Sequence, residues 1–207
     1  MNWLILLAAY LIGSIPTALL VGKYFFNVDI RDHGSKNPGA TNTLRVMGKK
    51  AAVIVLLVDV AKGMLAASLP FLLDIPVNPL YAGLIAVIGH CFPIFAGFRG
   101  GKAIATTAGA LLVVDIGMFL AVYLTFFAVI LITKYVFMGS ISVGFAMLVY
   151  SFFSTENSEP LLFIAFILLL FFLHRSNIRS FLNGTEPKIN DRNVKKDRVP
   201  PKGSFKP

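Results

Sequence analysis

The stretch AIATTAGALLVVDIGMFLAVYLTFFAVILIT, residues 103–133, decides the fold because it is too long for one membrane-spanning helix and short for two. A span needs about 20 apolar residues. Asp115 is the single charged residue in the stretch, and a hairpin there divides it into spans at 103–114 and 116–133. The side of the membrane on which the remaining charges fall depends on this division.

The composition is that of an integral membrane protein. The chain is 57% hydrophobic and only 14% charged, and its mean hydropathy is +0.77, a value that ordinary soluble domains do not approach. The first apolar stretch lacks the basic n-region of a signal peptide, so we expect it to be retained as a span. Cys91 is the only cysteine, so we expect neither a disulfide framework nor a metal or other cofactor.

The placement of charge favours two spans in residues 103–133. Every Lys and Arg except Lys62 then lies on one side, and the opposite loops hold Asp74, Asp115, Glu156 and Glu159. The positive-inside rule places the basic side in the cytoplasm. The prediction is an all-α polytopic bundle of seven transmembrane helices, with the N-terminus outside and the C-terminus inside. Its spans are predicted at 2–26, 51–73, 79–97, 103–114, 116–133, 135–153 and 160–174.

Two regions follow from this topology. Residues 1–185 are expected to form the transmembrane domain, and residues 186–207 a basic cytoplasmic tail. The tail is rich in proline and lysine, so we expect weak order and contact with anionic membrane lipids rather than with nucleic acid. The net charge of +9 is explained by topology alone.

Three polar segments fall together on the cytoplasmic side: DIRDHGSKNPGATNTLRVMGKK (29–50), GHCFPIFAGFRGGKAIATTAG (89–109) and HRSNIRSFLNGTEPK (174–188). Their Gly, Ser, Thr and Asn residues suit folded loops that bind anions. Irregular backbone at membrane depth is tolerated only where it packs in protein or lines a wet cavity. The segments therefore predict a polar pocket that faces the cytoplasm.

The first segment contains GSKNPGATN, residues 34–42. Gly34 and Asn37 tolerate positive φ, and Pro38 stiffens the turn. Asn42 or Thr41 could equally cap a helix that begins near Leu44, so capping and ligand binding stay open for both.

The second segment resembles a phosphate cradle. Gly100 and Gly101 would let backbone N–H groups approach an anion, Lys102 would supply charge, and the following helix would direct its positive end at the anion. Ala96 and Ala103 break the Walker A pattern, which argues against nucleoside triphosphate hydrolysis.

Four further charged or titratable residues have two interpretations each. Arg99, like Lys102, could serve as a positive-inside anchor instead of a phosphate ligand. His90 could be a structural histidine or a base. Asp59 and Lys62 stand three residues apart in the second span and share a helical face, which favours a mutually neutralising structural pair over a role in a transport pathway.

Taken together, the segments resemble the bacterial membrane glycerol-3-phosphate acyltransferases that use an acyl phosphate donor. GSKNPGATN with Arg45 resembles the first family motif, GHCFPIFAGFRGGKAIAT the second and HRSNIRSFLNGTE the third, in order over almost the whole chain. The sequence departs from the family at Lys36 and Ala103, where glycine is usual, and at Arg99, where lysine is common.

The resemblance implies transfer of a fatty acyl group from acyl phosphate to the 1-hydroxyl of glycerol 3-phosphate, giving lysophosphatidic acid and phosphate. It also implies a bacterial inner-membrane enzyme whose active site faces the cytoplasm, and we expect a monomer. The resemblance and the charges together assign catalytic roles to Ser35, Arg45, His90, His174 and Asn177, substrate or phosphate binding to Gly34, Asn37, Thr41, Asn42, Arg99, Gly100, Gly101, Lys102 and Ser142, and structural roles to Glu186, Asp59 and Lys62.

The catalytic base is open between His90 and a phosphate oxygen of the substrate, whose second pKa is about 6. The main rival function is a membrane transporter of an organic phosphate, which predicts deep broken helices and related halves. Only Asp59 and Lys62 lie deep, and no internal repeat is evident. A purely structural scaffold would leave the three polar segments unexplained.

Overall fold

The computed structural model describes residues 2–154, 159–191 and 198–203, and within these ranges the regular structure is entirely helical. This confirms the predicted all-α class. The described residues form two compact units, one from 2–114 with 198–203 and one from 115–154 with 159–191. Glu156, and the tail residues 192–197 and 204–207, on which parts of the loop and tail predictions depend, lie outside the described residues.

Most of the α-helices follow one another with short connections, and the two long ones are residues 22–39 and 92–103. In the described part the helices are α1 (Asn2–Gly13), α2 (Thr17–Val21), α3 (Ala40–Val46), α4 (Lys49–Leu72), α5 (Pro79–Cys91), α6 (Ile104–Val114), α7 (Ile116–Thr133), α8 (Val136–Ser151) and α9 (Pro160–Leu182). A π-helical turn, Gly22–Phe26, continues α2, and short 3₁₀ turns occupy Ile30–Asp32 and Ile94–Ala96.

The first apolar stretch is a broken helix rather than a continuous one. α1 ends at Gly13 and α2 begins at Thr17, because Pro16 has no N–H for the helical ladder and disfavours helical backbone in the residue before it. The predicted span at 2–26 is therefore interrupted near its middle, where the break exposes backbone groups to partners on other helices.

The stretch at 103–133 divides where the charge predicted. α6 ends at Val114, and α7 begins at Ile116. Asp115 caps α7 by accepting a hydrogen bond from the Met118 N–H at 2.9 Å, the usual role of an aspartate before a helix. The predicted break at Asp115 is confirmed.

Several helices are apolar and long enough to cross a membrane. In the described residues four satisfy length and composition, and a bent fifth, α9, does so if its two arms count as one span. α6 has 11 residues and α8 has 16, fewer than the about 20 of a typical span. The count of seven spans and the orientation of the termini stay predictions.

Glycines allow α4 and α6 to pack closely in the first unit. A Cβ on Gly63 of α4 would collide with the Thr106 carbonyl, and a Cβ on Gly109 of α6 would collide with the Val60 carbonyl. Small residues at such crossings let helix backbones approach where no hydrophobic effect drives association. This packing fixes α4, and with it Asp59 and Lys62, inside the unit.

Residues 198–203 of the tail also belong to the first unit. The Val199 N–H donates to the Val46 carbonyl at 2.8 Å, and the Lys202 N–H donates to the Phe25 carbonyl at 2.8 Å. Val199 packs against an apolar cluster that includes Ile30 and Val46. The expectation of a weakly ordered tail is therefore wrong for 198–203, because backbone hydrogen bonds and a partly buried apolar side chain hold these residues against the protein.

Candidate functional site

Asn42 organises the first polar loop. Its side chain is fully buried; Oδ1 accepts from the Ser35 N–H at 2.8 Å, and Nδ2 donates to the carbonyls of Ile30 at 3.3 Å and His33 at 3.0 Å. α3 already begins at Ala40, and its N-cap Gly39 makes no side-chain cap. The predicted capping role of Thr41 or Asn42 near Leu44 is therefore wrong.

Gly34 is required at its position in this loop. Its φ is +56°, a left-handed conformation that glycine adopts without strain, and a Cβ there would collide with Asn42 Oδ1. Ser35 and Thr41 are exposed, while Asn37 and Arg45 are half-buried. Gly34 thus acts through the shape of the loop, and Ser35 and Thr41 keep solvent-facing positions on it.

The second polar loop packs against the end of α5. The Gly100 N–H donates to the Cys91 carbonyl, and the Gly101 N–H donates to the His90 carbonyl, both at 3.1 Å. The expectation that these two N–H groups are open to an anion is wrong, because both are bonded inside the protein. A Cβ on Gly100 would meet the His90 carbonyl, and a Cβ on Gly101 would meet the His90 ring. Glycine is needed here for close approach to His90.

Arg31 joins the two loops. Its guanidinium pairs with Asp29 at 2.7 Å and donates to the Ala96 carbonyl at 2.9 Å. Hydrogen bonds from Arg31 lower the pKa of Asp29 below its ordinary value. The carboxylate therefore stays charged through the neutral range, and the contact weakens only in acid as the pH falls through that lowered pKa.

A small pocket of about 10 Å³, partly open to solvent, lies between the broken first helix and the two loops. Its charged lining residues in the described structure are Lys62 and Arg99. Because Lys62 is paired with Asp59, Arg99 supplies the positive charge that suits the pocket to an anion. The lining residues are Ile15, Pro16, Thr17, Leu19, Pro38, Lys62, His90, Pro93, Ala96, Arg99, Gly100 and Gly101.

Asp59 and Lys62 form the expected ion pair at the inner end of this pocket. Lys62 Nζ lies 2.8 Å from Asp59 Oδ1, and the two side chains are 4% and 2% exposed. Thr17 Oγ1 donates to the same carboxylate oxygen at 2.9 Å, and Lys62 Nζ also donates to the Ile15 carbonyl at 3.0 Å. The pair is thus bonded to both sides of the helix break at Pro16.

The third polar segment belongs to the second unit and is helical to Leu182. α9 bends by 56° around His174, which is buried and whose Nδ1 lies 2.9 Å from the Leu170 carbonyl. Because a carbonyl oxygen only accepts, Nδ1 carries a proton, and in the neutral ring Nε2 is the acceptor.

Asn177 and Glu186 are bonded to each other in the second unit. Asn177 Nδ2 donates to Glu186 Oε1 at 2.7 Å. α9 continues five residues beyond Asn177, so this side chain projects from within the helix and does not cap it. Ser142 lies half-buried in α8, where its hydroxyl donates to the Gly139 carbonyl at 2.7 Å.

The structure therefore gathers the predicted residues of the first two segments in one unit, and places those of the third segment and Ser142 in the other. The first group comprises Gly34, Ser35, Asn37, Thr41, Asn42, Arg45, Asp59, Lys62, His90, Arg99, Gly100, Gly101 and Lys102, and the second comprises Ser142, His174, Asn177 and Glu186.

Comparison with known proteins assigns the family. Residues 3–184 match the family model described as glycerol-3-phosphate acyltransferase. The chain belongs to this family. It is 50% identical over 192 residues to the glycerol-3-phosphate acyltransferase of Geobacillus kaustophilus, covering 91% of this chain and 96% of that protein. It is 46% identical over 186 residues to that of Bacillus subtilis, covering 90% and 96%.

The fold agrees with the family. A crystal structure of PlsY (YgiH), an integral membrane glycerol 3-phosphate acyltransferase in its glycerol 3-phosphate form, superposes with a TM-score of 0.83 at 32% identity, covering 93% of this chain and 97% of that one. The lysophosphatidic acid form gives 0.79 at 30% identity, with the same coverage. The predicted resemblance and acyltransferase class are confirmed, and the transporter alternative loses its support.

Two departures from the glycerol-3-phosphate acyltransferase motifs now have a physical reading. Lys36 has a φ of +59° and Ala103 a φ of +71°. Both positions, at which the motif resemblance led us to expect glycine, adopt the left-handed conformation that glycine tolerates best.

Replacing Lys36 with glycine is expected to stabilise the protein. Left-handed backbone costs a non-glycine residue about 1–2 kcal/mol, and the greater freedom of glycine in the unfolded chain offsets about 0.4–1 kcal/mol of this. The net gain is about 0.5–1 kcal/mol for the exposed Lys36, measurable as a raised midpoint of thermal unfolding in detergent. Ala103→Gly should be close to neutral, because Ala103 is 1% exposed and the variant also loses a buried methyl group worth about 0.8 kcal/mol.

Ala121→Gly is the matched control, since Ala121 lies inside the regular helix α7 and should lose about 1 kcal/mol. If Lys36→Gly and Ala103→Gly lost as much stability as Ala121→Gly, left-handed backbone would not be a source of strain at these two positions.

Several contributors to the site escape motif reasoning. Thr17 and Ile15 bind the buried ion pair, and Asp29 with Arg31 links the loops. For Thr17 and Ile15 the available signal was Pro16 inside an apolar helical pattern, because a proline there ends or kinks a helix. No local signal identifies Arg31, whose second partner is 65 residues away.

Proposed function

We propose that this chain transfers a fatty acyl group from acyl phosphate to the 1-hydroxyl of glycerol 3-phosphate. The products are lysophosphatidic acid and inorganic phosphate. The observation that carries the proposal is the pocket between the first two motif loops, whose lining in the described part includes the cation Arg99 beside Lys62, the charge of Lys62 being balanced by Asp59. Both substrates present phosphate to such a pocket, and the relatives are named for the acceptor.

Lys102 binds the phosphate of glycerol 3-phosphate in this proposal. It directly follows Gly100 and Gly101, which anchor the segment to the carbonyls of Cys91 and His90. Ser35 and Arg45 hold the phosphate of the donor and offset the charge that develops in the transition state. Ser35 is placed for this by Asn42, which bonds its backbone N–H.

The third motif orients oxygen atoms of the substrates. His174 and Asn177 bind hydroxyl and carbonyl oxygens, and Ser142 supplies a further polar contact. Glu186 keeps the Asn177 amide in one orientation through the 2.7 Å hydrogen bond between them. This division gives Glu186 a structural role and Asn177 a contact with substrate.

The reaction proceeds by direct attack. The 1-hydroxyl oxygen forms a bond to the acyl carbonyl carbon, the bond from that carbon to the phosphate oxygen breaks, and phosphate leaves with the electron pair. A phosphate oxygen takes the hydroxyl proton, since a phosphate monoester has a second pKa of about 6. Acyl phosphate already has a good leaving group, so positioning and charge neutralisation supply most of the acceleration.

His90 is the competing base. His90→Gln should retain near-normal turnover if the substrate takes the proton. Loss of turnover with unchanged binding of glycerol 3-phosphate would assign the proton transfer to the histidine. Steady-state kinetics together with equilibrium binding of glycerol 3-phosphate distinguish the two outcomes.

The enzyme works in the bacterial inner membrane as a monomer in this proposal, with seven spans, the N-terminus outside and the site facing the cytoplasm. Residues 1–185 form the transmembrane domain, and 186–207 the cytoplasmic tail. The supporting observation is the charge asymmetry of the loops. Single-cysteine variants at Lys36 and Asn183 should react with an impermeant reagent only from inside, and one at Asp74 only from outside. Labelling of Lys36 and Asn183 from opposite sides would overturn the topology.

The activity is tested with detergent-solubilised protein, acyl phosphate and glycerol 3-phosphate. We expect the protein to form lysophosphatidic acid without a sealed membrane, as an acyltransferase would. A transporter would give no product, since detergent solution offers no compartment to act across. A parallel reaction with acyl-CoA tests the donor. If acyl-CoA gives product and acyl phosphate does not, the acyl phosphate assignment is overturned. If neither donor gives product, the acyltransferase proposal for this chain is overturned.

A further inference from the structure

The buried pair of Asp59 and Lys62 has more partners than mutual neutralisation requires. Asp59 Oδ1 accepts from Lys62 and from Thr17, and Lys62 donates in addition to the Ile15 carbonyl. A buried ion pair generally adds little stability over apolar residues of the same shape. A contribution to stability therefore does not by itself explain why two charged side chains are buried beside the pocket.

The same carboxylate oxygen faces the second motif loop. Asp59 Oδ1 lies 3.7 Å from His90 Nδ1. The other nitrogen of the ring, Nε2, lies against Gly101, whose N–H donates to the His90 carbonyl. The His90 ring is thus enclosed between Asp59 and Gly101, the residue directly before Lys102.

Lys62 links Asp59 to the pocket and to the broken first helix. It lines the same pocket as His90 and Gly101, and its bond to the carbonyl before Pro16 ties α4 to the helix break. The position of α4 within the unit is itself fixed by its close packing on α6 at Gly63 and Gly109. The carboxylate therefore stands at a fixed point beside the His90 ring, where at 3.7 Å from Nδ1 it limits the ring by packing and charge rather than by a hydrogen bond.

We propose that Asp59, held by Lys62 and Thr17, is a positioning residue that orients His90 and thereby places the Gly101–Lys102 segment for glycerol 3-phosphate. The inference rests on the proposed function and deepens it, because it adds residues of the transmembrane helices to the determinants of acceptor binding. Asp59 acts through His90 and does not touch the substrate.

The double variant Asp59→Asn/Lys62→Met tests this role, since it removes both charges and leaves no buried charge without a partner. The KM for glycerol 3-phosphate should rise about 10-fold, a change of about 1.4 kcal/mol, while the KM for acyl phosphate stays within about 2-fold. A structural role alone would reduce the amount of active enzyme, and with it the maximal rate, at unchanged KM. An unchanged KM for glycerol 3-phosphate would overturn the proposal.

Thr17 provides a second test that leaves both charges in place. Thr17→Val removes the hydroxyl that bonds Asp59 and should raise the KM for glycerol 3-phosphate about 3-fold, while Thr17→Ser keeps the hydroxyl and should restore the original value. Equal KM values in the two variants would contradict the proposal.

Lys50→Met is the control for loss of a cation, because Lys50 is exposed at the start of the same helix, and its KM values should not change. The activity of the unmodified enzyme distinguishes a failure of the proposed function from a failure of the positioning role. If it forms no product, the proposed function fails; if it does and the double variant keeps its KM values, only the positioning role fails.

Discussion

Asn42→Asp is expected to reduce acyltransferase activity about 100-fold or more and to destabilise the first unit by about 4 kcal/mol. Asn42 Nδ2 donates to two carbonyl oxygens, and a carboxylate has no N–H for them. Each buried group left without a partner costs about 1–3 kcal/mol, and the new charge would face both carbonyls in a buried site. The loop that presents Ser35 would then rearrange.

Asn78→Asp is the matched control. Asn78 caps α5 with its side-chain oxygen, which accepts from the Leu80 N–H at 2.8 Å, and a carboxylate accepts equally well. Thermal unfolding in detergent and the initial rate of lysophosphatidic acid formation should therefore be near normal for Asn78→Asp and strongly reduced for Asn42→Asp. Similar behaviour of the two variants would show that donation by the Asn42 amide is unimportant.

The sequence was sufficient for the features that depend on local pattern. Asp115 predicted the break between α6 and α7 because a charge in a long apolar stretch is costly within a membrane. The same-face spacing of Asp59 and Lys62 predicted an ion pair that the structure contains. The three motif segments, read in order, predicted the family that comparison confirms.

The sequence was insufficient where tertiary contacts decide a residue's role. Asn42 resembled a helix cap, but its partners lie 7, 9 and 12 residues away, at separations that no helical or turn pattern predicts. Thr17, the second donor to Asp59, is 42 residues from it. Such contacts depend on how helices cross, which local pattern does not determine.

Gly100→Ala and Gly101→Ala are both expected to reduce activity about 100-fold, although neither replacement removes a backbone N–H. The added Cβ would collide with the His90 carbonyl at position 100 and with the His90 ring at position 101. Relief of either collision moves the loop that carries Lys102, and a displacement of about 1 Å can reduce a rate about 100-fold. Overpacking should also cost about 1–3 kcal/mol of stability, measurable by thermal unfolding.

The His90→Ala background distinguishes these collisions from a loss of anion binding. Removing the ring makes room for a Cβ at position 101 but leaves the backbone carbonyl that meets a Cβ at position 100. Gly101→Ala should therefore cost little additional stability in the His90→Ala background, whereas Gly100→Ala should keep its full cost, a difference that a double-mutant cycle on unfolding midpoints measures. If His90→Ala relieved neither variant or both equally, contact with the ring would not be the reason for glycine at position 101. The ring contact makes this position sensitive to the orientation of His90, because a rotation of the imidazole would move Nε2 toward or away from the Gly101 backbone.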